Sequence, residues 1–397
     1  MKPTAIDCQS FAGGFSLGIV QTGFELIAKR EYPGAFGAAA MDGNRQLLGD
    51  KWELEAGDPG SWTPMQADLV FGNPPCSGFS NRSVMVRGIL EDGTFGNLKI
   101  RGADSDINGC MWSLVEYAAE CDPKIVIFES VQGAYRNGRD LMKDLRRQLE
   151  ELTGEQWDLF HVLHNVSDLG GAQIRQRYFW VASRIPFGVD PVFIPETTVR
   201  DRIGDLEDVP LGSIEGHDVA ETPRLHRIRE LASKVTWLEG ETSGHAYQRA
   251  IDEGIELELW DEPLVSDKGV TQFAPKRLRY DSPSRVLAGD ALSTVVHPTL
   301  PRPLTHREIA RLTGFPDEWK CAPYQAKLNN SSWWGKGITL EASRWISKAA
   351  YDAISGSPQE FRGELIGDRE YLIKANDKGR IETMNQPLFE VLEGANE

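Results

Sequence analysis

A strand that ends at two consecutive prolines is the sequence feature that most constrains this chain. Residues 68–71 (DLVF) read as a short buried strand that stops before Pro74 and Pro75. Two prolines fix φ and remove two N–H donors, so neither a strand nor a helix continues through them. Cys76 follows directly, on a rigid turn at the carboxyl end of the strand. Ligands of open α/β sheets bind at such strand ends, so the pattern predicts a functional site here.

Cys76 has two readings. A free cysteine is usually a small buried hydrophobe, but a thiol on a rigid turn at a strand end is placed to act as a nucleophile. Attack requires thiolate character, and Arg82 and the free N–H groups of the turn can supply part of it. We favour the nucleophile. Residues 81–109, which are polar and glycine-rich, are predicted as a long loop suited to a lid.

Composition limits the classes of protein that this chain can belong to. Its 397 residues, 40% hydrophobic and 26% charged, suffice for a large core and suggest two domains. No run is apolar enough to span a bilayer, and no signal peptide precedes the first predicted strand. Five cysteines without a C-x-x-C pair argue against a disulfide framework or a metal site, so we expect a cytoplasmic protein. The net charge of −16 argues against indiscriminate polyanion binding, although it allows a local basic surface.

The N-terminal segment has the layout of a nucleotide-binding βαβ unit. A strand over 4–8 leads to a turn with Gly13 and Gly14, then a helix, then a second strand that ends at Glu31. Backbone N–H groups of such a turn can approach a ligand, and the acid can accept two ribose hydroxyls. Taken alone, the two glycines are more often only a turn and Glu31 a solvated acid.

A second strand end carries a carboxylate. The strand over 124–128 (KIVIF), predicted to be central and parallel, ends at Glu129. A carboxylate there is costly unless it is used or paired, which favours a functional role. The alternative is an N-cap, but the next helix is predicted over 138–152, which is too late.

Three polar residues alternate farther along the chain. Gln173, Arg175 and Arg177 occupy every second position, so they share one side of an extended segment. Such groups suit an anionic or amide-rich substrate, and a solvated edge is the alternative.

The chain changes character between residues 186 and 290. This acid-rich stretch, with helices predicted over 223–236 and 243–253, reads as an inserted or second domain. Near its end the charge inverts, which predicts a local basic surface for nucleic acid. The basic residues are Lys276, Arg277, Arg279, Arg285, Arg302, Arg307 and Arg311. Beyond residue 358, REYLIK-ANDKG-RIETM predicts a β-hairpin.

Together these pieces resemble the DNA cytosine-C5 methyltransferases over about residues 4–354. Besides the glycine loop, the acid and the alternating residues, the landmarks are PPCSGFS at 74–80, ESV at 129–131, RPLTHREIARLTGFPDEW at 302–319 and GKGIT at 335–339. The resemblance implies an α/β fold, a doubly wound Rossmann-like methyltransferase sheet with a smaller inserted target-recognition domain. The implied division is 1–185 plus 291–355 for catalysis, 186–290 for target recognition and 356–397 for a C-terminal extension with the hairpin.

The resemblance also implies a mechanism. A cytosine is flipped out of double-stranded DNA, the Cys76 thiolate adds to ring C6, and C5 then takes a methyl group from S-adenosylmethionine. Glu129 holds ring N3 and the exocyclic amine, while Arg175 and Arg177 brace the base and the loop. The implied cofactor-binding residues are Asp7, Gln9, Phe11, Gly13, Gly14, Glu31, Asp58, Pro74 and Lys336. The implied DNA-binding residues are Ser80, Arg82, Gln173, Lys276, Arg277, Arg279 and Arg302. We expect a monomer.

The chain departs from the family's motifs at three places. Gln9 and Phe11 replace the Phe and the first Gly of Phe-x-Gly-x-Gly, Ser130 replaces an Asn, and Lys336 replaces the Asn of Gly-Asn-Ser-Val-Pro. Two cations at close range repel by roughly 1 kcal/mol in water and by more in a drier site. A lysine beside the donor's sulfonium therefore favours carboxy-S-adenosylmethionine, whose carboxylate would pair with Lys336. The alternative is that Lys336 faces solvent or pairs with an acid such as Glu341, and the enzyme methylates. We place plain methylation first.

Two other functions compete with this reading. Amino-methyltransferases carry Asn-Pro-Pro followed by Tyr or Phe, but here Cys76 follows and Glu129 would have no role. A DNA-binding protein that has lost cofactor use would explain Gln9, Phe11 and Lys336, but not the retention of Cys76 and Glu129.

Overall fold

A computed structural model supplies the structure. It describes residues 2–31, 36–74, 77–79, 86–89, 95–98, 109–219, 223–258, 265–266, 269–270, 275–288, 291–321, 334–335 and 337–374. Cys76, Ser80, Arg82 and Lys336 lie outside the described residues.

One mixed sheet dominates the fold. The strands are β1 Thr4–Cys8, β2 Glu25–Glu31, β3 Glu53–Ala56, β4 Leu69–Gly72, β5 Val86–Ile89, β6 Phe95–Leu98, β7 Ile125–Val131, β8 Asp158–Asn165, β9 Gln176–Ser183, β10 Val265–Ser266, β11 Gly269–Val270, β12 Lys276–Arg277, β13 Val295–Val296, β14 Glu364–Gly367 and β15 Glu370–Lys374. Within the described ranges, nine of them form the order β14-β15-β8-β9-β7-β4-β1-β2-β3. Strands β3, β2, β1, β4 and β7 run parallel, and β9 is antiparallel to both β7 and β8.

Helices cover both faces of this sheet. They are α1 Gly14–Thr22, α2 Phe36–Asp42, α3 Arg45–Leu48, α4 Gly109–Glu120, α5 Gln132–Thr153, α6 Val199–Ile203, α7 Pro223–Lys234, α8 Ser243–Asp252, α9 Ala291–Thr294, α10 His306–Leu312 and α11 Leu340–Ile354. Alternate residues of the central strands enter two separate cores. Leu69 and Phe71 pack with α1 and α11, whereas Val70 packs with α4 and α5. This arrangement confirms the predicted doubly wound α/β sheet.

Helix α11 packs against α1, near the start of the chain. The Ser343 hydroxyl donates to the Phe15 carbonyl at 2.9 Å, and the rings of Phe24 and Tyr351 meet edge to face. A Cβ on Gly18 would lie 2.0 Å from Ser343 Oγ, so α1 needs glycine where α11 crosses it. Among the described residues, no helix has both the length and the apolar character needed to cross a membrane.

Two sequence predictions about local structure were wrong. Strand β7 continues through Glu129 to Val131, and α5 begins at the next residue, Gln132, rather than at residue 138. Within 81–109, β5 and β6 pair as an antiparallel hairpin, although no periodicity marks them. The rest of the predicted lid, apart from the start of α4, lies outside the described residues.

The segment predicted as a separate domain divides between two cores. Residues of α7 and α8 form a small core of their own with Trp237 and Val296. Phe187, Val199 and Ile203 instead join the large core on the α1 side of the sheet. The two predicted helices are confirmed as α7 and α8.

The C-terminal extension joins the main sheet. Strand β15 pairs in parallel with β8 and antiparallel with β14, and the predicted hairpin partner, residues 380–384, lies outside the described ranges. Glu370 anchors the extension, because its Oε1 accepts from His161 Nε2 at 2.8 Å and from Arg139 Nε at 2.6 Å. Burial alone would raise the pKa of Glu370, but these bonds outweigh it and lower the pKa to about 2.

We expect the contacts of Glu370 to make the free energy of unfolding depend on pH in the acidic range. A carboxylate whose pKa is lowered by folding stabilises the protein above its ordinary pKa, here 4.5, and loses this contribution as pH falls towards about 2. The loss should reach about 2 kcal/mol in wild type and be absent in Glu370→Gln. Urea unfolding between pH 6 and 3 measures it. Glu364→Gln, on the exposed face of β14, is the matched control and should keep the wild-type slope.

Candidate active site

Glu129 lies at the carboxyl edge of the sheet, where β7 leaves the core. Its Oε2 accepts from Asn73 Nδ2 at 2.5 Å, and its Oε1 lies 3.2 Å from Arg177 Nε. Burial raises the pKa of Glu129, and the nearby cations of Arg177 and Arg175 only partly offset this. The carboxyl group therefore keeps a proton to a higher pH than an exposed glutamate does, as a general acid requires. Sequence reasoning used Asn73 only as part of the turn and missed this contact.

The three alternating residues have three different roles. Arg177 contacts Glu129, as described above. Gln173 is wholly buried and does not face solvent, because its amide nitrogen donates to the Leu312 carbonyl at 3.0 Å and its amide oxygen accepts from Leu287 N. The prediction that Gln173 binds DNA was therefore wrong. Arg175 Nη2 donates to the carbonyls of Gly335 and Gly337, so it holds the backbone on both sides of residue 336.

We expect Arg175→Lys to weaken donor binding by about tenfold, because an ammonium group lacks the planar fork that reaches both carbonyls. Titration calorimetry with S-adenosylhomocysteine measures the affinity. Arg184→Lys, which alters an arginine paired with Asp122 at the opposite sheet edge, is the control. Unchanged affinity in Arg175→Lys would contradict the assigned role.

His164, on β8, is a buried side chain that no sequence pattern singled out. Its ring stacks on the ring of Phe179, with centroids 4.8 Å apart, and Phe179 on β9 is the direct partner of Glu129 on β7. Burial, helped by the cations of Arg177 and Arg175, lowers the pKa of His164 to about 3, so the imidazole is neutral. It adds no positive charge beside Glu129.

The ends of β1 and β2 form a second polar cluster. Asp7 accepts from the Ser10 amide at 3.1 Å and from the hydroxyls of Ser10 and Ser16, so it shapes the turn after β1. Lys29 Nζ lies 2.8 Å from Asp7 Oδ1 and 3.1 Å from Glu31 Oε2. Glu31 thus ends β2 at the position that the resemblance assigns to ribose binding. Asp7 supports the turn from within.

Gln9 and Phe11, which replace family residues in the glycine turn, have an unusual backbone conformation. Gln9 and Phe11 adopt φ of 66° and 51°, in the left-handed region that side chains rarely enter. The Gln9 side chain is buried, and neither its oxygen nor its nitrogen has a hydrogen-bond partner among the described residues. A buried amide without partners is costly, which is consistent with a ligand at this edge.

Protein atoms fill the space above the glycine turn. Gly13 has φ 82°, and a Cβ there would lie 2.9 Å from the Trp319 ring, while a Cβ on Gly14 would lie 2.5 Å from the Ile338 carbonyl. The two glycines therefore serve close packing as well as the turn. Asp58 is exposed just beyond β3, next to Gly57, whose N–H donates to the Glu31 carbonyl at 2.9 Å. Pro74 is buried beside Asn73.

Comparison with known proteins decides the family. The model of the C-5 cytosine-specific DNA methylases matches residues 4–350. The chain belongs to this family.

Individual relatives agree with this assignment. Type II methyltransferase M.XorII of Xanthomonas oryzae pv. oryzae is 25% identical over 354 residues, covering 80% of this chain and 77% of that protein. M.FnuDI of Fusobacterium nucleatum is 24% identical over 361 residues, covering 87% and 93%. A crystal structure described as a DNA modification methyltransferase encoded within an E. coli prophage covers 89% of this chain and 100% of its own, with a TM-score of 0.61 at 18% identity. That likeness concerns the fold alone.

A DNA methyltransferase needs cationic surface, but three of the seven predicted basic residues are buried and a fourth, Arg311, is engaged in ion pairs. Arg277 Nη1 donates to the carbonyls of His297 and Pro298 at 2.8 and 3.0 Å. Arg302 forms a two-point ion pair with Glu308, inside the capping box of α10. Predicting DNA contacts for Arg277 and Arg302 was wrong, because both guanidinium groups are buried and engaged within the protein.

The two remaining arginines of that set are also engaged. Arg307 donates to the carbonyl of Trp319 at 3.0 Å, and Arg311 pairs with Asp205 and Asp317. A count of formal charges cannot reveal this, because it does not show which way a guanidinium points.

Three of the seven predicted basic residues remain, and their charges influence one another. Burial lowers the pKa of Lys276, and the positive charges of Arg285 and Arg279 lower it further. In the part of the chain that the structure describes, no ion pair joins Lys276 or Arg279 to an acid. We call Lys276, Arg279 and Arg285 the cationic cluster. Repulsion within it is relieved when a phosphate binds.

We expect the double variant Lys276→Ala/Arg279→Ala to bind duplex DNA more weakly. The slope of log affinity against log salt should fall by up to about 2, because each lost phosphate contact removes nearly one released ion. Arg277→Ala is the matched neighbour, which should keep the salt slope and lower the thermal midpoint instead. An unchanged slope in the double variant would assign DNA contact to another face.

Proposed function

We propose that this methyltransferase transfers a methyl group from S-adenosylmethionine to C5 of a cytosine flipped out of double-stranded DNA, through a covalent adduct with Cys76. The observation that carries the proposal is the carboxyl group of Glu129, buried between Asn73 and Arg177 with a raised pKa. A cytosine needs a proton near N3 as a nucleophile attacks C6, and this group can hold that proton.

The proposed reaction has three steps. The thiolate forms a bond to C6, and the electron pair of the C5–C6 double bond shifts towards N3, which takes the proton of Glu129 while Arg177 stabilises the resulting carboxylate. C5 then takes the methyl group, and the donor leaves as the neutral thioether. Loss of the C5 proton to a base, departure of the thiolate and return of the N3 proton to Glu129 restore the aromatic ring and the free enzyme.

The residues at the ends of β1 and β2 fit the donor. The carboxylate of Glu31 is of the type that accepts ribose hydroxyls, and the buried amide of Gln9 has hydrogen-bonding capacity that no described residue uses. The donor supplies a sulfonium that activates the transferred carbon. Arg175 fixes the backbone of Gly335 and Gly337, which brackets the residue expected beside that sulfonium.

A second candidate differs only in the group transferred. Carboxy-S-adenosylmethionine would deliver a carboxymethyl group and leave 5-carboxymethylcytosine, with Lys336 pairing the donor carboxylate. The arrangement around Glu341 favours keeping this candidate, because Arg202 Nη2 already donates to Glu341 Oε1 at 2.6 Å. The acid named as an alternative partner for Lys336 is therefore engaged elsewhere.

Mass spectrometry of nucleosides tests the proposal and separates the two donors. Duplex DNA of mixed sequence is offered both donors at equal concentration, with wild type and with Lys336→Asn. We expect 5-methylcytosine from both proteins. Carboxymethylcytosine from wild type and methylcytosine from Lys336→Asn would instead make Lys336 the selectivity residue. A modified adenine, or a modification at cytosine N4, would refute C5 transfer.

A further inference from the structure

We infer that Lys29 is a positioning residue for the donor, because it ties the carboxylate of Glu31 to a fixed anchor at the end of β1 and so aims it at the donor's ribose. The inference rests on the proposed function, in which Glu31 accepts the ribose hydroxyls.

The ammonium group of Lys29 links side chains at the ends of β1 and β2. Its ammonium group lies 2.8 Å from Asp7 Oδ1, 3.1 Å from Glu31 Oε2 and 3.4 Å from Ser10 Oγ, so its three N–H donors face three acceptors. The side chain is wholly buried. Burial alone would lower the pKa of Lys29, but Asp7 and Glu31 outweigh it and raise the pKa, so the group stays charged.

Strand register explains why one lysine reaches both acids. Asp7 on β1 and Lys29 on β2 are direct partners across the parallel pair, and Glu31 lies two residues farther along the same face. Asp7 cannot shift towards Glu31, since the Ser10 amide and the hydroxyls of Ser10 and Ser16 hold it in the turn. The link therefore runs from a fixed carboxylate, through Lys29, to the carboxylate at the strand end.

A purely structural role explains these features less well. Leu26 and Ala28, earlier on β2, are buried and apolar, and an apolar residue at position 29 would likewise pack without the cost of burying a charge beside Arg30. A buried cation is worth that cost where two acids must stay ionised side by side. Without it, the carboxylates of Asp7 and Glu31 would share a buried edge with no countercharge between them.

The experiment measures binding of S-adenosylhomocysteine and of its 2′-deoxyribose analogue by calorimetry, with the full-length chain. Wild type should prefer the ribose form. Lys29→Met should bind S-adenosylhomocysteine roughly tenfold to a hundredfold more weakly and lose this preference, because Glu31 is no longer aimed. The KM for the donor should rise far more than the single-turnover rate at saturating donor falls, since Lys29 acts on donor binding and touches no reacting atom. Lys124→Met, which breaks an ion pair with Asp68 at the opposite sheet edge, is the control and should bind as wild type does.

A double-mutant cycle with Glu31→Gln distinguishes the possible failures. If Lys29 acts through Glu31, then Lys29→Met has no further effect on affinity in the Glu31→Gln background. Additive losses, or a preserved ribose preference in Lys29→Met, would overturn the inference while leaving Glu31 at the ribose. Unchanged affinity in Glu31→Gln alone would overturn the ribose assignment itself.

A variant with less buried charge covers the case in which Lys29→Met does not fold. Lys29→Met/Asp7→Asn removes the cation and one acid together but retains Glu31. Loss of the ribose preference in this variant supports the inference, and retention refutes it.

Discussion

Alanine in place of Cys76 is expected to abolish methyl transfer, and serine to leave at most a trace. An alkoxide is far harder to form at neutral pH than a thiolate, so the hydroxyl cannot replace the thiol. Asn73 stands three residues before Cys76 and donates to Glu129. Single-turnover transfer of a labelled methyl group measures the loss.

A covalent trap makes the same prediction without relying on a loss of activity. Fluorine at C5 cannot leave as a proton, so a duplex carrying 5-fluorocytosine should stay attached to wild type after one transfer. Cys76→Ala should form no adduct that survives denaturing electrophoresis. Cys110→Ala, which alters a thiol on α4, should be trapped as wild type is. Robust turnover by Cys76→Ala would exclude the mechanism.

Glutamine in place of Glu129 should lower the single-turnover rate by roughly 10²–10⁴-fold while the protein stays folded. The amide has nearly the same shape and can still contact Asn73, but it has no acidic proton to give to N3. Glu120→Gln, at the exposed end of α4, is the control. Wild-type rates in Glu129→Gln would contradict the assigned role.

The pH dependence tests the protonation state directly. In the proposed mechanism the protonated form of Glu129 is the active one, so the rate should decline as pH rises through its raised pKa. Arg177 lowers that pKa by its positive charge, so Arg177→Met should move the decline to higher pH, whatever its effect on the maximal rate. Single-turnover rates measured across the neutral and alkaline range give both midpoints.

Local patterns were predictable where neighbouring residues determine the structure. The strand, glycine turn, helix and strand of β1–α1–β2 follow from hydrophobic spacing, and the capping box at the start of α10 is local too, since Thr305 and Glu308 are three residues apart. The carboxylate of Glu129 was identified because a charge at the end of a buried strand needs a reason. Each of these inferences uses residues close together in the chain.

Long-range partners were not predictable in the same way. Arg277 meets carbonyls some twenty residues later, and Gln173 meets Leu312, far away along the chain. Lys29 reads as an ordinary charged residue until the parallel register sets it against Asp7. The start of α5 was misplaced because no capping residue marks Val131. In each case the deciding contact depends on the assembled sheet.

The attachment of the segment proposed for target recognition bears on how such enzymes change the DNA sequence that they recognise. Ser284 is joined to the catalytic side by two main-chain bonds, from Ile174 N to its carbonyl and from its own N–H to the Ala172 carbonyl. Gln173 adds a third bond, again to a main-chain group, the N–H of Leu287. None of these bonds depends on the identity of a side chain within the attached segment. These bonds therefore constrain the path of the backbone at this junction, so an exchange of such segments between enzymes would have to preserve the extended shape here rather than any one hydrogen-bonding side chain.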